Sequence, residues 1–457
     1  MAKQSATNII NYTLGATDEL TCKEFIDTKL KLFSAHSNVR GIPFLGDGFK
    51  QSHRKAIYGL MCRGEGADKD TVERLAARAC SDTDYHHGAA SMEGTLVTLA
   101  QKFIGSNNMP LVEGFGQFGN RLSRKSASAR YIKAKLSPNF RKIFRKEDDL
   151  ILQHHLSNGD KIEPIYFIPI LPVCLLNGAD GIGTGHSTYI LGYNPNDLKS
   201  AIQQVLKGKK LKPGTLKPWY DGYKGTIERD PATNQVEIRG VFQEEGNLSI
   251  RVTELPVGVQ DEHYEAHLHK LMDKEIIKNF VNQSDEDGFD YLITAPRSTT
   301  SKDNEELMKL FKLVVKETEN LTLWDTNGAL RRFDNVEQII EEFVAWRLER
   351  YEDRRQALIK LTEEEILWLD ERIRFINFYL VNTDKFRNTG KKELLELLTA
   401  NEFVEPERLL GLSIWFLTKD KIEELGKELE AKLNYLESLQ GDTPVAMYSR
   451  EIAELKL

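Results

Sequence analysis

The sequence predicts a multidomain α+β chain: a winged-helix module, a mixed α/β tower, and a long antiparallel coiled coil ending in a helical knob. Three observations predict it. Between residues 49 and 104, apolar residues recur at helical spacing in three short segments. Between 226 and 258 they alternate as strands do. From Val336 to Leu380 they repeat near every 3.5 residues. The expected divisions are 1–30 for a polar arm, 31–150 for the winged-helix module, 151–330 for the tower and 331–457 for the coiled coil.

The helical module reads as three helices. The first spans about Phe49 to Cys62, with Phe49, Ala56, Ile57 and Leu60 inward and Lys50, His53, Arg54 and Lys55 on the other side. The second spans Thr71 to Cys80. The third spans about Ala89 to Ile104, with Met92, Leu96, Leu99 and Phe103 as its buried stripe. Three short helices leading into a basic segment fit a helix-turn-helix or winged-helix module. Two glycine-rich runs follow, GFGQFG at 114–119 and GADGIGTG at 178–185. Neither is a dinucleotide fingerprint. The first has no helical pattern after it, and the second runs into a segment where Asn194 and Pro195 signal loop. Both read as backbone that passes very close to something flat or bulky.

In the middle region, 226–230 and 235–240 alternate as a hairpin around a PATN turn, and 248–258 gives a further strand closed by Pro256 and Gly258. Helices are expected at 261–275 and 304–318. The heptad-like stretch then carries Val336, Ile340, Phe343, Tyr351, Leu358, Leu361, Leu369, Ile373, Ile376 and Leu380. Leu425, Leu429, Leu433, Leu436 and Leu439 form a second amphipathic helix that returns along it. Between them, 383–416 holds Leu394, Leu395, Leu397, Leu398, Phe403, Ile414 and Trp415, a compact apolar knob suited to a dimer contact.

Of the 457 residues 40% are hydrophobic, and no apolar run is long enough to span a membrane. The N-terminus lacks a secretory layout, and Cys22, Cys62, Cys80 and Cys174 form no C-x-x-C pair. They read as reduced thiols of a cytoplasmic protein, not as a zinc centre. The net charge is −7, yet Gly114 to Lys146 holds no Asp or Glu. That stretch carries Arg121, Arg124, Lys125, Arg130, Lys133, Lys135, Arg141, Lys142, Arg145 and Lys146. A locally basic surface on an acidic protein can grip a polyanion, because phosphate contacts act locally. A solvated basic helix or an acidic protein partner would share the same charge pattern.

The chemistry rests on Arg40, Lys50, His86, His87, Arg130 and Tyr131. A tyrosine hydroxyl, with a pKa of about 10, is both a usable nucleophile toward phosphorus and a fair leaving group. Nearby cations favour the phenolate and then stabilise the phosphoryl oxygens in the transition state. Arg130 beside Tyr131, with a basic run beyond, supplies both cation and attraction. Taken singly, an Arg-Tyr pair and a histidine are commonplace.

In sequence order, five segments place these residues in a family context. IPFLGDGFKQSHRKAIYGL resembles a D-G-[LF]-K-P-x-x-R-[KR] segment, and YHHGAASMEGTLVTLAQKFIGSNN resembles a Y-H-H-G segment. GFGQFGNRLSRKSASARYIKAKLSP resembles a G-Q-F-G…A-[SA]-x-R-Y segment, and LLNGADGIGTGHSTYI an N-G-x-x-G-I-[GA]-x-G loop. SIWFLTKDKIEEL resembles the start of a returning coiled-coil helix. Together they cover roughly residues 30 to 440 and resemble the breakage-reunion subunits of type IIA DNA topoisomerases. The Y-H-H-G form is the eukaryotic one. On a separate short chain, the pattern is similar to the medium subunits of T-even bacteriophage enzymes, which would place the protein in a bacterial host's cytoplasm or nucleoid.

The resemblance implies roles residue by residue. Tyr131 would form a 5′-phosphotyrosyl link, Arg130 would stabilise the pentacoordinate phosphorus, and His87, Arg40 and Lys50 would complete the active site. Ile182 would wedge between base pairs, with the surrounding glycines letting the backbone lie against them. His86, Arg54, Lys55, Arg124, Lys125, Lys133 and Lys135 are the expected further contacts to double-stranded DNA. No metal site is expected in this chain. Asp285-Glu286-Asp287 has the family's Asp-x-Asp spelling but reads as a polar turn. Mg²⁺ and ATP would come through an ATPase- and metal-bearing partner subunit, and the chain would act as a homodimer, relaxing or untangling DNA. Rival readings are a tyrosine recombinase or type I enzyme, and a DNA-binding coiled-coil clamp in which Tyr131 is inert.

Overall fold

A computed structural model describes residues 21–456, apart from Glu65, Pro231, Ala232, Asn234, Asn247 and Asp287 and the side chain of Ile414. Most of the expected N-terminal arm thus lies outside the described residues. The chain forms two compact units. One holds the described residues through Arg145, Leu152–Trp346 and the C-terminal end. The other holds Lys146–Ile151 and Arg347–Glu454.

The first unit begins helically at Cys22–Glu24, passes through a wider π turn at Phe25–Leu30, and continues into α1 (Lys31–Gly41). Three helices follow, α2 (Gln51–Met61), α3 (Val72–Asp82) and α4 (Ala89–Ala100). The third is shorter than its apolar spacing implies. The chain leaves the helix at Gln101, whose side chain donates to the Phe118 and Arg124 carbonyls. Thr71 caps α3 through Arg74 N–H, as a hydroxyl at that position should. Strands β1 (Asp70–Thr71), β2 (Val112–Phe115) and β3 (Lys133–Leu136) form an antiparallel sheet in the order β1-β3-β2. Ala56, Ile57 and Leu60 of α2 are buried, as are Val72, Leu75 and Ala76 of α3, Met92 and Leu96 of α4, and Ile132 and Ala134 beside and within β3. At Gly59, a Cβ would lie 2.6 Å from that of Ala79, so the α2–α3 crossing requires glycine.

Downstream, a hairpin pairs β4 (His154–Ser157) with β5 (Asp160–Pro164), and a second pairs β6 (Ala179–Ile182) with β7 (Ser187–Ile190). The second hairpin occupies a stretch whose sequence reads as loop. Asn194 and Pro195 do not end structure there. Asn194 caps α5 (Pro195–Leu206) through Asn196 N–H at 2.8 Å, with Pro195 in the first turn, where a missing N–H costs nothing. The expected hairpin at 226–239 is present as β8 (Thr226–Arg229) and β9 (Gln235–Arg239). A four-stranded sheet combines β10 (Val241–Glu244), β11 (Ser249–Glu254), β12 (Asn279–Asn282) and β13 (Tyr291–Thr294), with α6 (Asp261–Asp273) between β11 and β12 in sequence. The helix expected over 304–318 is only half helical. It stops at α7 (Asn304–Leu310), Lys312 turns with φ of 50°, and β14 (Val314–Thr318) pairs with β9. The β-branched Val314 and Val315 suit that edge. Asp285 bridges to Gly288 in a turn, while Asp287 lies outside the described residues.

The second unit is built on the part of α8 (Val336–Val381, a 46-residue helix) from Arg347 onward, and on α9 (Lys419–Gly441). They run antiparallel. Arg355 bonds the Leu439 carbonyl, Glu365 meets Lys432 at 2.5 Å, and Leu369 and Ile376 pack with Leu425. In the intervening knob, Leu398, Phe403 and Leu409 pack on Phe375, while Trp415 stands 86% exposed. A further helix that the sequence does not announce, α10 (Pro444–Glu454), closes the unit. No helix among the described residues is long and apolar enough to cross a membrane.

Candidate functional site

Tyr131 sits at the end of a turn, its N–H donating to the Ser128 carbonyl at 2.9 Å. The backbone on both sides is pinned to the first turn of α3. Glu73 N–H donates to Ala129 C=O at 3.2 Å, and Val72 N–H donates to Ile132 C=O at 3.0 Å. Ile132 points into the core, 1% exposed, so alternation drives Tyr131 outward, where it is 76% exposed. Arg130 beside it is also exposed. Neither side chain has a hydrogen bond or ion pair with any described residue. The result is a rigid backbone carrying a free phenol and a free guanidinium, at the edge of a basic surface that includes exposed Arg124, Lys125 and Lys133.

Arg40 and His87 are electrostatically coupled. His87 precedes α4, its ring 5.3 Å from that of Tyr85 in an edge contact, and Gly88 supplies the φ of 81° that starts the helix. Partial desolvation lowers the His87 pKa, and Arg40, His36 and His86 lower it further by repelling a second positive charge. Sequence reasoning misses His36. It stands four residues before Arg40 on α1, hence on the same helix face. That spacing is the signal available for it. His86 lies 3.7 Å from Asp84.

Lys50, at the start of α2, reaches Asp180 of β6 at 3.9 Å. Both line a cavity of about 420 Å³ with His53, Gln101, Arg124 and Tyr189. Burial, then Lys50, then Arg54 push the His53 imidazole down to about 3, so this histidine is neutral. At the tip of the β6–β7 hairpin Ile182 is 86% exposed. The glycines around it have a different cause from the one inferred. A Cβ on Gly181 would lie 2.0 Å from the Gly41 carbonyl oxygen, and one on Gly183 would lie 2.1 Å from Asn38 Oδ1. These glycines let the hairpin press its backbone onto the end of α1, which places Ile182 beside the helix that carries Arg40.

Two residues expected to touch DNA are engaged inside the protein instead. Lys55 is 6% exposed, its Nζ 2.8 Å from Glu163 and 2.5 Å from the Thr83 carbonyl. Arg54 makes a bidentate pair with buried Asp47 at 2.6 and 3.0 Å, and Asp47 also accepts from the Phe49 and Phe167 amides. Both cations balance a buried carboxylate, so neither is available to phosphate. Lys135 is partly occupied by Glu113 at 3.3 Å. Arg121 of the basic run is also turned inward, on Glu254 at 2.6 Å and over the Phe289 ring. Among the described residues, no three His, Cys, Asp or Glu side chains are grouped to hold a metal ion.

The profile of the protein family that comprises the A subunits of DNA gyrase and topoisomerase IV matches residues 40–455. The mitochondrial DNA topoisomerase 2 of Dictyostelium discoideum is 34% identical over 96% of this chain and 35% of its own length. DNA topoisomerase 2-alpha of Rattus norvegicus is 31% identical over 97% of this chain and 32% of its own. A crystal structure of the Plasmodium falciparum topoisomerase II DNA-binding, cleavage and re-ligation domain superposes with a TM-score of 0.88 at 31% identity, covering 97% of this chain and 66% of that one. The chain spans about a third of the length of these curated relatives.

Proposed function

The chain belongs to the family of DNA gyrase and topoisomerase IV A subunits, and on that premise we propose that it cleaves and rejoins duplex DNA through Tyr131. One observation carries the reading. Arg130 and Tyr131 stand exposed, with no side-chain partner among the described residues, on a turn whose backbone is fixed to α3 on both sides. Exposed aromatic and basic side chains on a rigid turn are poor for stability and well placed for a substrate.

In this mechanism the Tyr131 oxygen attacks a backbone phosphorus, loses its proton, and forms a 5′-phosphotyrosyl bond as the 3′-oxygen leaves. Return of the 3′-hydroxyl reverses the exchange, so one phosphoester replaces another and resealing needs no external energy. Arg130 faces the charge that develops on the phosphoryl oxygens. Arg40, Lys50 and His87 complete the set of groups around the phosphate, with His87 held toward its neutral form and so able to take or give a proton. Ile182 enters a base step and bends the duplex. The topology of three helices with a β1-β3-β2 sheet supports assigning 31–150 as a winged-helix cleavage module. Two copies, meeting through the 383–416 knob where Trp415 is exposed, would cut both strands. Mg²⁺ and ATP hydrolysis would come through a partner subunit, as in the split enzymes of T-even bacteriophages, and the outcome would be relaxation or untangling.

The test is a detergent trap. Wild type mixed with duplex DNA, Mg²⁺ and an ATPase- and metal-bearing type II subunit yields a protein–DNA adduct, and Tyr131→Phe yields none while still binding DNA. An adduct of undiminished yield from Tyr131→Phe would refute the assignment.

A further inference from the structure

The segment leaving α5 reads LKGKKLKPGTLKPW over 206–219. Lys207, Lys209, Lys210, Lys212 and Lys217 are all exposed. None has an ion pair or hydrogen bond through its ammonium with any described residue. Between Leu206 and Tyr220 the sequence contains no Asp or Glu. Some lysines elsewhere in this acidic chain do have carboxylate partners, as Lys302 has Glu306, Lys316 has Glu237 and Lys432 has Glu365.

The loop is also built to hold its shape. Leu211 N–H donates to Glu341 at 2.9 Å, and Thr215 and Leu216 N–H both donate to Glu337 at 3.0 and 3.2 Å. Glu337 is 3% exposed. Glu337 and Glu341 thus hold the loop's backbone amides, and the exposed lysine ammonium groups bond to no described residue. Gly208 and Gly214, with φ of 75° and 77°, turn the chain without side chains that would shield the lysines. Five like charges on one short, fixed loop repel one another, and the arrangement becomes favourable when the ammonium groups replace a polyanion's condensed counterions, which escape into bulk solution.

We propose that the 207–217 loop is a second DNA-backbone surface, outside the cleavage module, that grips phosphates of duplex beyond the cleaved stretch. This rests on the DNA-cleavage reading and adds a site to it. The spacing supports an extended anion. Five ammonium groups over eleven residues match a phosphate row, whereas a single small anion would engage only one or two.

The experiment measures binding of the full chain to a duplex of about 20 base pairs, roughly 70 Å at ~3.4 Å per step, and to one several times longer. It compares wild type with a variant in which Lys207, Lys209, Lys210, Lys212 and Lys217 are all glutamine. Each phosphate contact contributes about 0.9 to the slope of log affinity against log salt, so up to ~4.5 is removed from that slope on the long duplex. Long-duplex affinity falls at least tenfold, short-duplex affinity is unchanged, and the all-arginine version restores the long-duplex affinity and its salt slope. Adding a second, unlinked short duplex to complexes already holding one separates two sources of phosphate. Capture of it by wild type but not by the glutamine variant would assign the loop to a separate segment, and dependence on linked length alone to the flank of the cleaved one. Equal affinity and slope for both proteins on the long duplex would overturn the proposal, as would equal losses on the two lengths. Failure of wild type to bind either duplex would instead strike at the DNA-cleavage reading itself.

Discussion

The cleavage module and the coiled-coil unit treat charge in opposite ways. Around Tyr131, the side chains of Arg124, Lys125, Arg130 and Lys133 stand in solvent, with no ion pair to any described residue. At the base of the coiled-coil unit cations are buried and matched. Arg347, fully buried, donates to Asp148 at 2.6 Å and lies 3.8 Å over the Tyr351 ring. Arg354, 2% exposed, faces Asp148 at 3.5 Å and also pairs with Glu451, which accepts from Tyr351 Oη at 2.8 Å. Tyr351 stacks on Tyr448 at 4.9 Å. The same residue types thus serve architecture in one place and chemistry in the other. Local pairing separates the two where composition does not. Lys55 and Arg54 make the point within the cleavage module itself, since both turn out to be architectural.

That contrast can be broken by substitution. Removing the carboxylate of Asp148 leaves two buried guanidiniums without their shared partner, a type of change that costs about 3–5 kcal/mol. Asp148→Ala should therefore lower the unfolding midpoint of the second unit steeply in chemical denaturation. A midpoint shift worth under ~1 kcal/mol would mean that the network is not what holds Lys146–Ile151 in place. At Arg130 the effect should fall on rate alone. Arg130→Ala should slow formation of the trapped adduct by about 10²–10³-fold, or ~2.7–4 kcal/mol in the barrier. Its stability should stay within ~0.5 kcal/mol of wild type, as for an exposed, unpaired side chain. Equal losses in rate and stability would place Arg130 with the architectural cations.

His53 lies between the two classes, and its effect is the most gradual, spread over several pH units. Its folded pKa of about 3 is depressed from an ordinary 6.5. Between those values the unfolded chain takes up a proton that the folded chain refuses. Stability contributed by neutral His53 is therefore fully present above about pH 6.5 and is lost as pH falls toward 3. The slope is at most ~1.4 kcal/mol per pH unit, and partial exposure to solvent reduces it. His53→Gln should flatten wild-type stability over that window in acid titrations followed by circular dichroism. An unchanged slope would show that the imidazole is not desolvated.

Much of the module was legible because its signals are local. Helical spacing gave α2 and α3, alternation gave β8 and β9, and the 3.5-residue repeat gave α8. Tyr131 was legible as the partner of Arg130 beside a basic run, whereas its exposure follows from the inward turn of Ile132 and Ala134, which that reading did not use. What escaped depends on distant partners. Arg347 and Asp148 are 199 residues apart, so nothing near either one announces the pair. Lys55 lies on the polar side of its helix, and two distant partners, Glu163 on β5 and the Thr83 carbonyl, draw it inside. Val314 to Thr318 carries a pattern that fits a helix until β9 is there to pair with it. Asn194-Pro195 illustrates a signal read in the wrong direction, because the same dipeptide that ends one element caps the next. The glycines of β6 were recognised as marking a close approach, but the surface approached is the backbone of α1.

The proposed chemistry turns on one oxygen atom, Tyr131 Oη, and the identity of the residue bonded to DNA decides whether that atom is the nucleophile. A trapped adduct is digested with protease and nuclease, and the peptide carrying nucleotide is fragmented by mass spectrometry. The account predicts a 5′-phosphate ester on Tyr131, with Arg130 as its N-terminal neighbour in the same segment. Nucleotide on any other residue, or a linkage to the 3′ end, would contradict it.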